Sequence, residues 1–253
     1  MFECITPLFN PAPLSKEILE SMRDLTANEQ NVRYHSLSDG VISGCELYEK
    51  DMEIGVTSGI VKFEGRIYIL SSFSGVKYKA TDSWTVLKIR FGNEELSRDF
   101  SAYRGSLVLD DSTHILPNEL ELGRFKLKRG SQLRVNYVDF HDMQTEYDTV
   151  HLLHVPFAGI GEHTLCPVIL MHFAREAYAY AKDAVNIAFC TSCLSSNGIM
   201  SRESIIKYIS KNDRYNYPND NHGLYVNLAD ILADLKGITQ HSDRVQRDEL
   251  LLL

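Results

Sequence analysis

The feature that most constrains this chain is a change of hydrophobic period. Between residues 37 and 157 apolar positions recur in short alternating runs. Between 158 and 237 they recur at helical spacing. Alternation puts successive side chains on opposite faces of a strand, whereas three- and four-residue spacing lines one face of a helix. One chain carrying the two patterns in separate blocks reads as α+β: a β-sandwich-like body with an N-terminal helical arm and a C-terminal helical subdomain.

Four segments follow. Residues 1–36 read as an arm with one helix. Pro11 and Pro13 keep its approach extended, Ser15 suits an N-cap, and Ile18, Leu19, Met22 and Leu25 form one narrow apolar stripe before Asn28, a helix stop. A helix with one narrow apolar face needs something to dock on.

Residues 37–157 read as the β-rich body. Met52, Ile54 and Val56 alternate with Glu53, Gly55 and Thr57, and Glu64-Gly65 between two apolar runs suits a tight hairpin. Further strands are predicted at 84–91, 103–109, 119–127, 132–138 and 149–155, the third with a phase break near Gly123-Arg124 that suits a bulge.

Residues 158–237 read as the helical subdomain. Pro167 fits a first helical turn, and Leu170, Phe173, Ala174, Ala177, Ala181, Ala184, Val185 and Ala188 trace one face of a single long helix ended by Asn197-Gly198. Ser201 is placed to cap a second helix and Asn227 a third that Gly237 ends. Residues 238–253 read as a mixed-charge flexible tail closing on four leucines.

Composition narrows the function classes. With 26 Lys plus Arg against 34 Asp plus Glu, the formal net charge is −8, which opposes general nucleic-acid binding. No run of about 18 apolar residues is present, so no membrane span is expected. Met1-Phe2-Glu3-Cys4 lacks the basic start and apolar block of a secretory signal. Five cysteines at irregular spacing then read as reduced thiols in a cytoplasmic setting.

Candidate chemistry is sparse. Cys190-Thr191-Ser192-Cys193 is a CxxC, but it falls at the end of a predicted helix, where the dipole opposes a thiolate, and Cys166 supplies no second zinc pair. His141, His151 and His154 cluster in sequence with Asp139 and Asp142, and His163 follows in the next loop. The three-residue spacing of His151 and His154 on a strand would aim them at opposite faces. Asp110-Asp111 and Glu94-Glu95 read as solvated turn carboxylates. Serine-nucleophile, Walker and dinucleotide-binding motifs are missing. No catalytic, cofactor-binding or metal-ligating residue is therefore assigned, and no cofactor is expected.

Two stretches carry a resemblance. The first runs from Leu37-Ser38-Asp39-Gly40-Val41-Ile42-Ser43-Gly44 through Gly59-Ile60-Val61-Lys62-Phe63-Glu64-Gly65-Arg66-Ile67-Tyr68, within residues 37–70. It resembles a pattern in tail and baseplate proteins of phages and phage-derived contractile particles, where a GVISG turn precedes a strand and a GI-x-x-x-x-GR-x-Y hairpin. The second, residues 134–176, contains Arg134-Val135-Asn136-Tyr137-Val138-Asp139 and His172-Phe173-Ala174-Arg175-Glu176, and it resembles tail-region proteins of Firmicute phages. The resemblance implies a structural tail or baseplate component, not an enzyme. Such a component works through interfaces with other tail or baseplate proteins, in several copies, on a virion or tail-like particle assembled in the bacterial cytoplasm. It transfers no catalytic residue.

The residues themselves leave two other classes open. One is a carbohydrate- or surface-binding module using the 211–223 loop, with Tyr215 and Tyr217, or other exposed aromatics. The other is a metal- or thiol-dependent enzyme using His141, His151 or His154, or Cys190 and Cys193.

Overall fold

The computed structural model describes residues 16–97, 101–212 and 217–238. The protein is α+β, and its chain divides into two compact units that meet in sequence between Leu37 and Ser38.

The first unit contains α1, Lys16–Tyr34. The helix runs past Asn28, the residue expected to stop it. Asn alone supplies no left-handed turn, and the Arg33–Glu29 pair at 2.8 Å, one turn apart, supports the extension. Ser15, the expected cap, lies outside the described residues.

The second unit opens with β1 (Gly40–Gly44), β2 (Leu47–Lys50), β3 (Glu53–Val56), β4 (Gly59–Phe63), β5 (Arg66–Leu70) and β6 (Ser74–Lys77). Next come β7 (Trp84–Phe91), β8 (Glu95–Leu96), β9 (Ser101–Ala102), β10 (Gly105–Asp110) and β11 (Glu119–Lys126). The strands form small antiparallel sheets in the orders β1-β4-β5, β2-β3-β6, β10-β7-β11 and β8-β9.

Local chemistry sets these boundaries. Gly44 (φ 64°) and Cys45 (φ 55°) turn the chain between β1 and β2. A side chain at Gly44 would bring its Cβ to 2.1 Å from the Ser58 carbonyl oxygen, so only glycine fits. Glu64 (φ 47°) and Gly65 (φ 71°) make the two-residue turn joining β4 to β5, with Phe63 paired to Arg66. The expected phase break in β11 is a register shift between Glu121 and Gly123. It keeps Leu120, Leu122 and Phe125 buried together.

Two expected strands are absent from the described elements. Around 132–138 and 149–155 the chain makes only isolated bridges, Arg134 with Thr149 and His151 with Arg124. Scattered backbone bonds tie this region together, among them the Arg134 N–H to the Asp148 carbonyl at 2.8 Å and the Val150 N–H to the Arg134 carbonyl at 3.0 Å, and side-chain bonds add to them. Arg134 grips Asp142 with both terminal nitrogens, at 3.0 and 2.8 Å, and the Tyr137 hydroxyl donates to the Val150 carbonyl at 2.6 Å.

A short 3₁₀ turn, His141–Gln144, leads to α2 (Pro167–Tyr178), α3 (Ala184–Ser195), α4 (Arg202–Lys211) and α5 (Asn221–Leu235). The expected single long helix is two. Asp183 interrupts it, accepting from the backbone N–H groups of Val185 and Asn186, both at 3.0 Å, to start α3. Asn197 (φ 52°) then ends α3, with the Gly198 N–H donating to the Cys193 carbonyl at 2.7 Å. Ser201 caps α4 by accepting from the Ser204 N–H at 3.2 Å. Asn227 is not a cap: Asp220 starts α5 by accepting from the Gly223 N–H at 2.6 Å, and Asn227 lies buried inside the helix.

The second unit holds two cores. Val41, Ile54, Val61, Leu87, Leu122 and Phe125 belong to the strand core. Phe140, Leu170, Phe173, Ile205, Tyr225 and Leu228 belong to the helical core. Leu152 and Phe157 pack against both and join them. No helix among the described residues is long and apolar enough to cross a membrane.

Candidate functional site

The CxxC thiols lie in the second half of α3. Cys190 and Cys193 are fully buried in the helical core, and Cys166, just before α2, is buried with them. Burial pushes the Cys190 thiol up to about 11 and the Cys193 and Cys166 thiols up to about 12. Near neutral pH they stay protonated, the form that neither attacks an electrophile nor ligates a metal.

The histidines do not converge. His151 is buried, with Nε2 at 2.8 Å from the Thr145 carbonyl oxygen and its ring edge-on to Trp84. Burial pushes its pKa down, which keeps the ring neutral. His141 lies exposed on the 3₁₀ turn, and His154 and His163 are exposed in separate loop positions. The nearby carboxylates are already engaged. Asp142 holds Arg134 and accepts from the Val138 N–H at 2.9 Å, while Asp139 accepts from the Asp142 N–H at 2.8 Å. Among the described residues, no group of three His, Cys, Asp or Glu side chains is placed to hold a metal ion.

Sequence reasoning missed a charged cluster on the central sheet. Lys88 in β7 is wholly buried. Its Nζ lies 3.2 Å from Asp110, 3.3 Å from Glu119 and 2.8 Å from the His114 carbonyl oxygen. Arg90 closes the cluster, with Nη2 at 2.7 Å from Glu119. The Ser112 N–H and then the Lys88 ammonium hold Asp110 below the usual carboxylate range. Burial alone would raise Glu119, but the Leu116 N–H, Arg90 and Lys88 outweigh it and lower its pKa. The signal was Lys88 interrupting the apolar run Val86-Leu87-Lys88-Ile89, with Glu119 and Glu121 alternating on a facing strand. Of the two turn pairs read as solvated, Asp110 is thus partly withdrawn from solvent. These charges pair with one another, with Lys88 and Glu119 wholly buried and Arg90 and Asp110 at the solvent edge.

What remains open is surface. A groove of about 640 Å³ runs between α3 and α4, floored by Val185, Ala188 and Met200 and by the stacked rings of Phe189 and Tyr208. Lys207 and Lys211 stand on its α4 rim, with Glu203 further toward the start of that helix. On α1, Leu19, Met22 and Leu25 are 53%, 43% and 50% exposed. Elsewhere Phe73, 72% exposed, sits edge-on to Tyr48, whose hydroxyl donates to Glu53 at 3.3 Å. Of the tyrosines around the 211–223 loop, Tyr208 and Tyr225 are buried, Tyr217 is exposed, and Tyr215 lies outside the described residues.

No protein-family model matches the chain, and neither does any curated protein. Solved structures that resemble it at low score include the following. A crystal structure of TssK aligns over 94% of this chain and 70% of that one, at a TM-score of 0.40 and 8% identity. The TssK-TssF-TssG baseplate subcomplex of the type VI secretion system aligns over 92% of this chain and 99% of the matched chain, at 0.37 and 10%. Likeness at this level assigns neither a family nor an activity.

Proposed function

We propose that this protein is a non-catalytic structural component of a contractile tail or baseplate-like particle, assembled in the bacterial cytoplasm and held there through interfaces with other baseplate proteins. The observation that carries the reading is α1: a 19-residue helix in a unit of its own, with Leu19, Met22 and Leu25 turned to solvent. Large apolar side chains repeated along one helix face lower their free energy by docking on a partner. The resemblance of residues 37–70 and 134–176 to tail and baseplate proteins gives the partner's setting. The protonated, buried thiols and the hydrogen-bonded His151 support the non-catalytic part of this reading.

The test is to replace Leu19, Met22 and Leu25 together with serine in the full chain. The expected result is an unchanged urea midpoint for the second unit and loss of the protein from purified particles. Normal incorporation would reject the role of α1.

A second reading, a carbohydrate-binding module, is favoured by one observation: the exposed Phe73 ring beside Tyr48 and Glu53, a stacking surface next to polar groups. A glycan array that lights up with the native protein and goes dark with Phe73→Ala supports it, and a blank array rejects it.

A further inference from the structure

The groove between α3 and α4 leaves two needs unmet. Its floor is apolar, with Val185 46% exposed beside the stacked Phe189 and Tyr208 rings. Lys207 and Lys211 stand on the α4 rim, and no carboxylate among the described residues pairs with either. A fitting occupant presents acidic side chains next to apolar ones. The groove is also polarised along its length. The short connection 196–201 makes α3 and α4 antiparallel neighbours, so Ala184 at the start of α3 lies with Lys211 at the end of α4. One end therefore carries the two lysines, and the other carries Glu203 and Met200.

The chain supplies a matching segment. Residues 239–253 lie outside the described residues, and their sequence contains Asp248-Glu249-Leu250-Leu251-Leu252-Leu253. The described helices lead the chain to the lysine end of the groove. α5 finishes at Leu235, and Lys236 pairs with Glu176, in the last turn of α2, at 2.7 Å. Residues 179–183 then carry α2 into Ala184. From the end of α5, past the end of α2, to the start of α3 is two helix spacings, or about 20 Å. The chain from Ile238 to Asp248 reaches up to about 33 Å, so the acidic pair arrives at Lys211 and Lys207 with slack. The four leucines follow. They span about 13 Å of extended chain, against about 12 Å of helix rise from Ala184 to Ser192. The reverse direction would set Asp248 and Glu249 beside Glu203 and leave both lysines facing leucine. A leash this short also holds the segment at an effective concentration on the order of millimolar.

We infer that residues 248–253 seat in the groove between α3 and α4 of their own chain, with Asp248 and Glu249 at Lys207 and Lys211 and the leucines over Val185, Ala188 and Met200. The contact covers the apolar floor in the free protein, so any partner that uses the groove must displace it. The inference does not rest on the particle reading.

The test reads access to the groove floor in the full-length protein. Ala188→Cys in a Cys4→Ser background puts one exposed thiol in the groove, the other described cysteines being buried. Its labelling by a neutral thiol reagent is compared with that of Thr191→Cys, on the same helix but off the groove. Circular dichroism checks that each variant folds. Replacing Leu250, Leu251, Leu252 and Leu253 with serine is expected to speed labelling of Cys at 188 at least tenfold and to leave position 191 unchanged. Lys207→Glu with Lys211→Glu is expected to speed it as well. By charge alone, rim glutamates would raise the thiol's pKa and slow labelling, so acceleration reads release of the segment. Adding Asp248→Lys with Glu249→Lys to that variant is expected to restore slow labelling. A native rate equal to that of the serine variant overturns the inference, as does failure of the charge exchange to restore protection. Protection that fades on tenfold dilution also overturns it, because the cover would then come from a second copy.

Discussion

The Tyr225 hydroxyl donates to the carbonyl oxygen of Phe140 at 2.6 Å, and the two rings stack at 4.5 Å, linking α5 to the segment before the 3₁₀ turn. Both residues are buried, so the bond is made where water cannot replace it. Tyr225→Phe leaves that carbonyl without its donor in the core, at an expected loss of about 1–3 kcal/mol. Urea unfolding should show it. Tyr217→Phe, at an exposed position, should move the midpoint by less than ~0.5 kcal/mol. Equal effects would contradict the assignment.

Lys88 is the cation that Asp110 and Glu119 share. Lys88→Met strands two carboxylates beside one remaining guanidinium, at an expected cost of about 3–5 kcal/mol. The deficit should shrink as pH falls below the usual carboxylate range, because protonation removes the unbalanced charge. A variant equally destabilised at every pH would point to lost packing instead.

Asp142 gives the protein an acid limit. The Arg134 guanidinium, helped by the Val138 N–H and the Thr145 hydroxyl, holds its carboxyl at about 2 against an ordinary 3.8, and its side chain is 11% exposed. A lowered folded-state pKa contributes stability that is present above the unfolded value and is lost as pH falls toward the folded one. The window is therefore from about pH 4 down to about pH 2, and the loss is on the order of 2 kcal/mol. Thermal unfolding across that range should steepen accordingly, and Asp142→Asn should flatten it.

Cys190 and Cys193 should be silent toward a thiol reagent in the native state. With thiols raised to about 11 and 12 inside a packed core, labelling in a Cys4→Ser background should require opening of the helical subdomain and rise with urea as unfolding does. Fast labelling of either cysteine without denaturant would restore the thiol-chemistry alternative.

The parts legible in the sequence were those written in local chemistry. The Glu64-Gly65 hairpin, the Gly123 bulge, Pro167 opening α2, Ser201 capping α4 and the Asn197-Gly198 stop each depend on a few adjacent residues, and each is present. The break between α2 and α3 was hidden because Ala177, Ala181 and Ala184 keep helical spacing across it. Asp183 wins there by satisfying two backbone donors at once. The strand-like runs near 135 and 152 show the reverse. Alternation holds around 135, but Thr149, Val150 and His151 are buried in succession, and the two runs meet only through scattered backbone bonds that the side chains of Arg134, Tyr137 and Asp142 support. The division of strands among small sheets depends on pairings between residues far apart, which alternation cannot encode. The charge cluster needed the same information, since Lys88, Asp110 and Glu119 meet only once β10 and β11 flank β7. For the interaction surfaces, the single stripe on α1 was visible in sequence. The groove was not, because it exists only where α3 and α4 pack side by side.

The central claim is that this chain works as a built-in part of a particle. Its most direct test is quantitative mass spectrometry across a density gradient of tail-like particles from the source of the protein. The account predicts a peak that coincides with the particles at a fixed ratio to their other proteins, unchanged through a second gradient. Recovery of the protein only at the top of the gradient, as free chain or small oligomer, would contradict it.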